Sequence, residues 1–211
     1  VASSAYTDYQ VVTFCEEPRV AYDRVHLSEY FSGKSAEDLS LVESGFFEKN
    51  NITLHLGDRA VRIDRDKKQV LSQKGERIAY DKVVIASGSY PFVPPMPGHD
   101  RDGCLVYRTI EDLEAITGAA KNAKTGVVVG GGLLGLEAAK ALTDLGLETH
   151  VVEFAPRLMA VQLDEGGAAM LRSKIEALGV TIHTSKNTQK IIDGDQAIHK
   201  MCFADGEELE T

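Results

Sequence analysis

The sequence predicts an α/β fold with two domains of strand–helix units and a small antiparallel meander in the first. Three observations support this prediction. Short β-branched runs alternate with helical patterns in both halves, a strand–glycine–helix–strand run follows residue 125, and residues 91–103 hold four prolines and two glycines. Because proline lacks an N–H and fixes φ, the last stretch is a poor helix or strand and marks the crossing between domains. We therefore expect domains at residues 1–104 and 105–211.

The first domain is predicted to contain one helix and six strands. Apolar residues from Leu39 to Phe47 recur at helical spacing and predict a helix over residues 36–50. Residues 82–86 form an apolar run that closes at Gly88, which is typical of a strand buried in a parallel sheet. The other predicted strands are residues 10–14 and 52–56, followed by the meander of residues 61–64, 69–72 and 76–80.

The second domain is predicted to begin with a helix capped by Thr109. Asp112 follows three residues later, as in a capping box, and Leu113 and Ile116 share one face. A further amphipathic helix is predicted over residues 164–178, with Gly179 as its stop and four apolar residues facing inward: Met170, Leu171, Ile175 and Leu178.

Composition excludes several classes of function. With 23 basic and 32 acidic residues the net charge is −9, which repels nucleic acid and anionic membranes, so neither is an expected partner. No apolar run approaches the roughly 20 residues that span a bilayer. Residues 1–4 lack the pattern of a secretory signal, so we expect a cytoplasmic location.

The cysteines and histidines predict no metal or redox site. Cys15, Cys104 and Cys202 lie far apart without a C-x-x-C pair or cluster-ligand spacing, so we expect small buried or half-buried side chains. The histidines are also scattered without the spacing of metal ligands.

The strongest motif is the glycine run that follows residues 125–129. Gly130 permits a tight turn, Gly132 lets the backbone approach a pyrophosphate, and Gly135 lets the next helix pack closely on the strand. The N–H groups of that helix's first turn, at Leu133 and Leu134, then face the phosphates. The order strand, glycine loop and helix predicts a Rossmann-like dinucleotide site.

An acid completes this motif at the end of the next predicted strand. Glu153 lies 18 residues past Gly135, where a carboxylate accepts hydrogen bonds from the adenosine ribose and repels a 2′-phosphate. This favours NADH over NADPH. Arg157 is close enough in sequence to offer a partner to a 2′-phosphate, so use of NADPH stays open.

These residues carry a family resemblance. The chain resembles the large subunits of NAD(P)H-dependent nitrite reductases, among the flavoprotein reductases that have two dinucleotide-binding domains. The similarity extends over essentially all 211 residues and is carried by residues 12–18, 21–28, 86–91, 107–113 and 130–139.

The resemblance implies that the first domain binds FAD and the second, inserted after it, binds NAD(P)H. The residues implied to contact FAD are Glu17, or its neighbour Glu16, on the adenosine ribose, Arg24 and Ser28 near the cofactor, and Ser87 and Gly88 lining it. A carboxylate suits two ribose hydroxyls, and an arginine neutralises pyrophosphate charge.

The implied reaction is transfer of a hydride from the nicotinamide to the flavin. Glu137 matches a glutamate that lies near the nicotinamide in related reductases and has a positioning role. Related ferredoxin reductases pair that glutamate with a lysine, whereas the corresponding position here is Glu29, so the usual salt bridge is in doubt.

By resemblance, the first βα unit of the FAD domain is missing and the NAD domain stops at Thr211 before the family's second flavin-contacting segment. We therefore expect a fragment with weak FAD binding. Sirohaem and a 4Fe-4S cluster are expected only in the remainder of the parent enzyme or its small subunit, which accepts the electrons. A homodimer is left open.

Two alternatives to a nitrite reductase part are a stand-alone NADH-dependent rubredoxin or ferredoxin reductase and a catalytically silent nucleotide-binding module. The NADH oxidase or peroxidase branch is less favoured, because residues 27–34 lack a redox cysteine.

Overall fold

A computed structural model describes residues 9–195 and 199–211, so residues 1–4, which bear on the absence of a signal sequence, lie outside the described part. The predicted α/β fold is confirmed: the described residues form helices, two parallel sheets and two antiparallel sheets. The chain divides into two compact units. The first contains Ser35–Ser89 and the described residues before Arg24, and the second contains Arg24–Lys34 and Tyr90–Thr211. The predicted division at residues 104 and 105 stays a prediction.

The first unit holds a parallel pair and the predicted meander. Strand β1 (Val11–Phe14) pairs in parallel with β2 (Ile52–His55). The meander then forms from antiparallel β3 (Ala60–Asp64), β4 (Gln69–Ser72) and β5 (Arg77–Ala79). Each predicted strand of this group is present to within two residues, because short β-branched runs separated by turn residues are local signals.

The predicted helix over residues 36–50 is mostly wrong. Only α1 (Phe46–Lys49) is helical. In the segment before α1, polar side chains form local hydrogen bonds in place of helical ones. The N–H and hydroxyl of Ser35 donate to Asp38, and the hydroxyl of Ser40 donates to the carbonyl of Val42. Such local hydrogen bonds favour turns over a helix.

The predicted buried strand at residues 82–86 is wrong as well. The segment has no regular secondary structure, and Val84 and Ile85 are 88% and 72% exposed. A buried parallel strand needs strands on both sides, and none of the described residues pairs with this segment.

The second unit is built on a three-stranded parallel sheet. Strands β6 (Thr125–Val129), β7 (Glu148–Val152) and β8 (Val180–His183) lie side by side in that order. They alternate with α3 (Leu133–Asp144) and α4 (Glu165–Glu176). Antiparallel strands β9 (Thr188–Asp193), β10 (His199–Phe203) and β11 (Glu208–Glu210) form a second meander, which the sequence patterns did not predict.

The parallel sheet separates two apolar clusters. Val151 packs with Ala139 of α3, with Leu171 and Ile175 of α4 and with neighbours on β8, whereas Val152 packs with Met201 and Phe203 of β10. Adjacent strand residues point to opposite faces, so β7 is covered on both sides.

Two of the four residues expected on the inner face of α4 are not there. Leu171 and Ile175 pack against the core, but Met170 and Leu178 are 65% and 53% exposed. Buried Ala168 shares a stripe with Leu171 and Ile175 at helical spacing, and Met170 lies off that stripe.

The predicted cap of α2 (Ile110–Ala120) is confirmed. The N–H of Asp112 donates to the hydroxyl of Thr109 at 3.1 Å, and the N–H of Thr109 donates to the carboxylate of Asp112 at 2.8 Å. The same carboxylate accepts the N–H of Arg108 at 3.1 Å, so the capping box also holds the residue before Thr109.

Candidate functional site

The glycine loop joins β6 to α3 in the second unit. Gly130 has φ +115°, a conformation that side chains rarely adopt, and its N–H donates to the carbonyl of Val152 at 2.8 Å. A Cβ on Gly135 would collide with the carbonyl oxygen of Gly130 and would approach Val128 Cγ1 to 3.5 Å. Gly130 and Gly135 are therefore required by the shape of the loop itself.

The N-terminus of α3 opens beyond this loop. Gly132 is the N-cap and supplies no capping side chain, and a Cβ there would meet nothing within 4 Å. Leu133 and Leu134 are each 61% exposed. The first N–H groups of a helix have no intrahelical acceptor and carry its positive dipole end, so this surface suits an anion. The open space and the helix-end donors fit the pyrophosphate of a dinucleotide.

Glu153 follows the last residue of β7 and reaches the loop. Its Oε2 accepts the N–H of Gly131 at 2.6 Å, and its Oε1 accepts the N–H of Ala155 at 2.6 Å. A carboxylate has about four lone-pair sites, so these two bonds leave acceptors for ribose hydroxyls. The structure thus brings the predicted acid and the predicted glycine loop together.

Arg157 forms hydrogen bonds to the backbone of the loop that follows β7. Its Nε donates to the carbonyl of Leu163 and its Nη2 to the carbonyl of Ala160, both at 3.2 Å. It also lines a cavity of about 280 Å³ beside Arg172 and Thr184. Two of its donor atoms are therefore committed to the backbone.

Glu137 lies half-buried on α3, one helical turn from Leu133. Glu29, which stands where related reductases have a lysine, is ion-paired with Lys34. Glu137 itself makes no hydrogen bond or ion pair with any described residue.

Tyr107 is affected by the charge of Glu137 and was not predicted as a site residue. Burial, and then the negative charge of Glu137, raise the pKa of Tyr107 to about 12. Its hydroxyl is buried without a hydrogen-bond partner among the described residues. Only the packing of distant segments creates this environment, so no local signal could reveal it.

The predicted flavin-contacting residues are distributed over both units. In the first, the hydroxyl of Tyr22 donates to Glu17 at 2.5 Å, and Ser87 and Gly88 are exposed. In the second, Nη1 of Arg24 donates to the carbonyl of Arg108 at 3.0 Å, and Ser28 lies half-buried in the 3₁₀ helix Leu27–Ser32. Glu17 comes three residues after the end of β1, whereas Glu153 comes directly after β7.

A histidine pair on neighbouring strands was also missed. His150 Nδ1 lies 3.0 Å from His183 Nε2, and their rings stack 5.3 Å apart. Burial, followed by the charge of His150, lowers the pKa of His183. His150 lies on β7 and His183 on the neighbouring β8. The pair was missed because β8 was not predicted.

Two features are absent from the described residues. No helix within them is long and apolar enough to cross a membrane. No group of three or more His, Cys, Asp or Glu side chains within them could hold a metal ion. As expected, Cys15 and Cys104 are half-buried and Cys202 is buried.

Comparisons with known proteins show which proteins this chain is similar to. The chain is 57% identical over 205 residues to the nitrite reductase (NADH) large subunit of Escherichia coli (strain K12), covering 97% of this chain and 24% of that protein. It is 57% identical over 211 residues to the nitrite reductase [NAD(P)H] large subunit of Klebsiella oxytoca, covering 100% of this chain and 22% of that protein. The chain thus spans less than a quarter of the length of these relatives.

A solved structure supports the same fold. The ferredoxin reductase for the CYP199A2 system from Rhodopseudomonas palustris matches with a TM-score of 0.88 and 28% identity, over 95% of this chain and 50% of that one. The family described as pyridine nucleotide-disulphide oxidoreductase matches residues 2–211. The resemblance to nitrite reductase large subunits is confirmed, and the chain belongs to the pyridine nucleotide-disulphide oxidoreductase family.

Proposed function

We propose that this chain is the diaphorase part of a nitrite reductase large subunit, which takes a hydride from NADH onto FAD. Electrons then pass to a sirohaem and 4Fe-4S centre in the rest of the parent enzyme or its small subunit, where nitrite is reduced to ammonia. The observation that carries the NADH assignment is the Glu153 carboxylate bonded to Gly131 beside the open N-terminus of α3. The 57% identity to two nitrite reductase large subunits supports the choice of parent enzyme.

The residues of the second unit have separate roles in this proposal. The first-turn N–H groups at Leu133 and Leu134 hold the pyrophosphate, and Gly132 leaves room for it. Glu153 accepts the ribose hydroxyls and repels a 2′-phosphate, so NADH is preferred to NADPH. Glu137 positions the nicotinamide. The two cofactors supply the hydride chemistry, and the protein supplies orientation and charge.

We also propose the predicted FAD contacts and domain limits. Glu17, or Glu16, accepts the ribose hydroxyls of FAD, Arg24 neutralises its phosphates, and Ser87 and Gly88 let the backbone approach it. Ser28 lies near the same cofactor. Residues 1–104 belong to the FAD domain and 105–211 to the NAD(P)H domain, in a cytoplasmic enzyme.

A stand-alone reductase for a small electron carrier is the second candidate. The similarity to a ferredoxin reductase over 95% of this chain favours it, because that structure covers the same two-unit region. Reduction of nitrite by the parent protein would separate the two candidates: a stand-alone ferredoxin or rubredoxin reductase would reduce only its carrier protein.

The first experiment titrates the purified chain with NADH and with NADPH by calorimetry, while a visible spectrum records bound flavin. We expect NADH to bind more tightly than NADPH. Flavin absorbance that bleaches on addition of NADH would establish hydride transfer. NADH binding without flavin absorbance would show that this chain, by itself, acts as a nucleotide-binding module. If neither nucleotide binds, the NADH assignment is wrong.

A further inference from the structure

Tyr107 has an environment that is energetically unfavourable for a phenol. Among buried side-chain nitrogen and oxygen atoms of the described residues, its hydroxyl oxygen is the one that lacks a hydrogen-bond partner. A buried hydroxyl without a partner loses its bonds to water and gains none in return. Such an orphaned donor in a native structure calls for a functional explanation.

Packing connects the ring of Tyr107 to α3 through Phe31. The ring of Tyr107 stacks on Phe31 with centroids 6.4 Å apart and planes 17° from parallel. Phe31 belongs to the 3₁₀ helix Leu27–Ser32, and that helix packs against α3, which carries Glu137. The capping box of Thr109 fixes the backbone that follows Tyr107. The phenol is therefore held in place by elements on both sides.

Glu137 is the complementary group. Its half-buried carboxylate has no hydrogen-bond donor or cation paired with it in the described part of the chain. Glu29, on the 3₁₀ helix that contacts α3, is ion-paired with Lys34 and offers no positive charge. Burial, and then the negative charge of Glu137, raise the pKa of Tyr107 to about 12, so the phenol is protonated at neutral pH. Among the described residues, the buried hydroxyl of Tyr107 is thus a donor without an acceptor, and the carboxylate of Glu137 is an acceptor without a donor.

We propose that Tyr107 is a positioning residue for the nicotinamide: with coenzyme bound, its hydroxyl donates a hydrogen bond to Glu137 and holds that carboxylate toward the carboxamide of the coenzyme. The second carboxylate oxygen then accepts the carboxamide NH₂. This inference rests on the proposed NADH site. Tyr107 acts through Glu137 and not by touching the coenzyme, since its hydroxyl oxygen is shielded from solvent.

The test compares three ligands by calorimetry with the full 211-residue chain. NADH carries the carboxamide, its 3-acetylpyridine analogue replaces the NH₂ by a methyl group, and ADP-ribose lacks the nicotinamide. The variants are Tyr107→Phe, Glu137→Gln and the double variant. Tyr30→Phe is the matched control, because Tyr30 also packs against Phe31, edge-on at 6.0 Å, and loses the same hydroxyl.

We expect Tyr107→Phe to weaken NADH binding about tenfold relative to ADP-ribose, as for one hydrogen bond to a charged group. ADP-ribose and the acetylpyridine analogue should keep their wild-type affinities, and Tyr30→Phe should leave all three unchanged. The double variant should lose no more NADH affinity than Glu137→Gln alone, because the two residues act through one contact.

Several results would overturn the inference. One is an unchanged ratio of NADH to ADP-ribose affinity in Tyr107→Phe, even if its melting temperature changes, because a purely structural tyrosine would alter only stability. Another is a double variant whose losses multiply. If the wild-type chain binds neither NADH nor ADP-ribose, the proposed coenzyme site fails and this inference fails with it. ADP-ribose binding with an unchanged ratio removes the Tyr107 role alone.

Discussion

The Glu153 carboxylate and the backbone N–H of Gly131 form a hydrogen bond of 2.6 Å, which ties the acid after β7 to the loop after β6. The second oxygen of the same carboxylate holds the N–H of Ala155. Two donors thus fix the charge in place, so it cannot swing away when a phosphate approaches. Coenzyme choice should therefore depend on this side chain.

Removing the charge of Glu153 should relax coenzyme choice. In Glu153→Gln the shape is kept and the repulsion of a 2′-phosphate is lost, so the NADH/NADPH affinity ratio should fall by about tenfold or more. Adding Phe154→Arg should lower the NADH/NADPH affinity ratio further. Phe154 is 73% exposed and follows Glu153 directly, and arginine forms bidentate hydrogen bonds to phosphate. Calorimetric titration with both nucleotides measures the ratio.

Glu148→Gln is the matched control for this experiment. Glu148 begins β7, and its side chain is 72% exposed at the end of the strand opposite to Glu153. The ratio should stay at the wild-type value in this variant. An unchanged ratio in Glu153→Gln would show that the acid does not discriminate between the coenzymes.

Adding one methyl group at Gly135 should damage the loop. In Gly135→Ala the Cβ meets the carbonyl oxygen of Gly130, which cannot move without shifting the turn, so we expect a loss of about 1–3 kcal/mol of stability and much weaker NADH binding. Urea unfolding and calorimetry measure the two effects.

Gly118→Ala is a control that should change stability in the opposite direction. Gly118 lies in α2, and a methyl group added there would meet nothing within 4 Å, so alanine should stabilise the chain by up to about 1 kcal/mol through helix propensity. Equal effects of the two substitutions would mean that the Gly130–Gly135 contact does not limit the loop.

Replacing Arg157 should test whether it recognises a 2′-phosphate. Its Nε and Nη2 donate to the carbonyls of Leu163 and Ala160, so Arg157→Ala should cost roughly 1–2 kcal/mol of stability for two lost hydrogen bonds. The NADH/NADPH affinity ratio should not change. A selective loss of NADPH affinity would show that Arg157 reaches the phosphate after all.

Acid should weaken the second unit through His183. Burial comes first among the causes that lower its pKa from 6.5, followed by His150 and then Lys186 and Arg172, against the opposing charge of Glu207. Below about pH 6.5 the unfolded chain then binds more protons than the folded chain, so the free energy of unfolding falls as pH falls.

Urea unfolding at about pH 7.5 and about pH 5.5 measures this slope. His183→Gln removes the titrating group and should flatten the slope, whereas His99→Gln, at an exposed position, should keep it. A wild-type slope in His183→Gln would assign the acid sensitivity to other groups.

Signals that act within a few residues were enough to predict part of the site. The Thr109 cap needs only Asp112 three residues later, and the turn at Gly130 needs only a residue that tolerates positive φ. Glu153 was placed by its distance along the chain from Gly135, because a helix and a strand of ordinary length separate the two. These features are dictated by local geometry, and the sequence determined them by itself.

Tertiary packing decided the rest. The apolar run at residues 82–86 predicts a buried strand, but a strand needs partners, and no described residue pairs with it. Met170 has the hydrophobicity of a core residue, yet the α4 stripe that faces the sheet leaves it exposed. The hydroxyl of Tyr107 is buried without a hydrogen-bond partner among the described residues. His150 contacts His183, which lies 33 residues further along the chain. Burial and charge at such positions depend on which segments meet in space, and composition and periodicity carry no information about that.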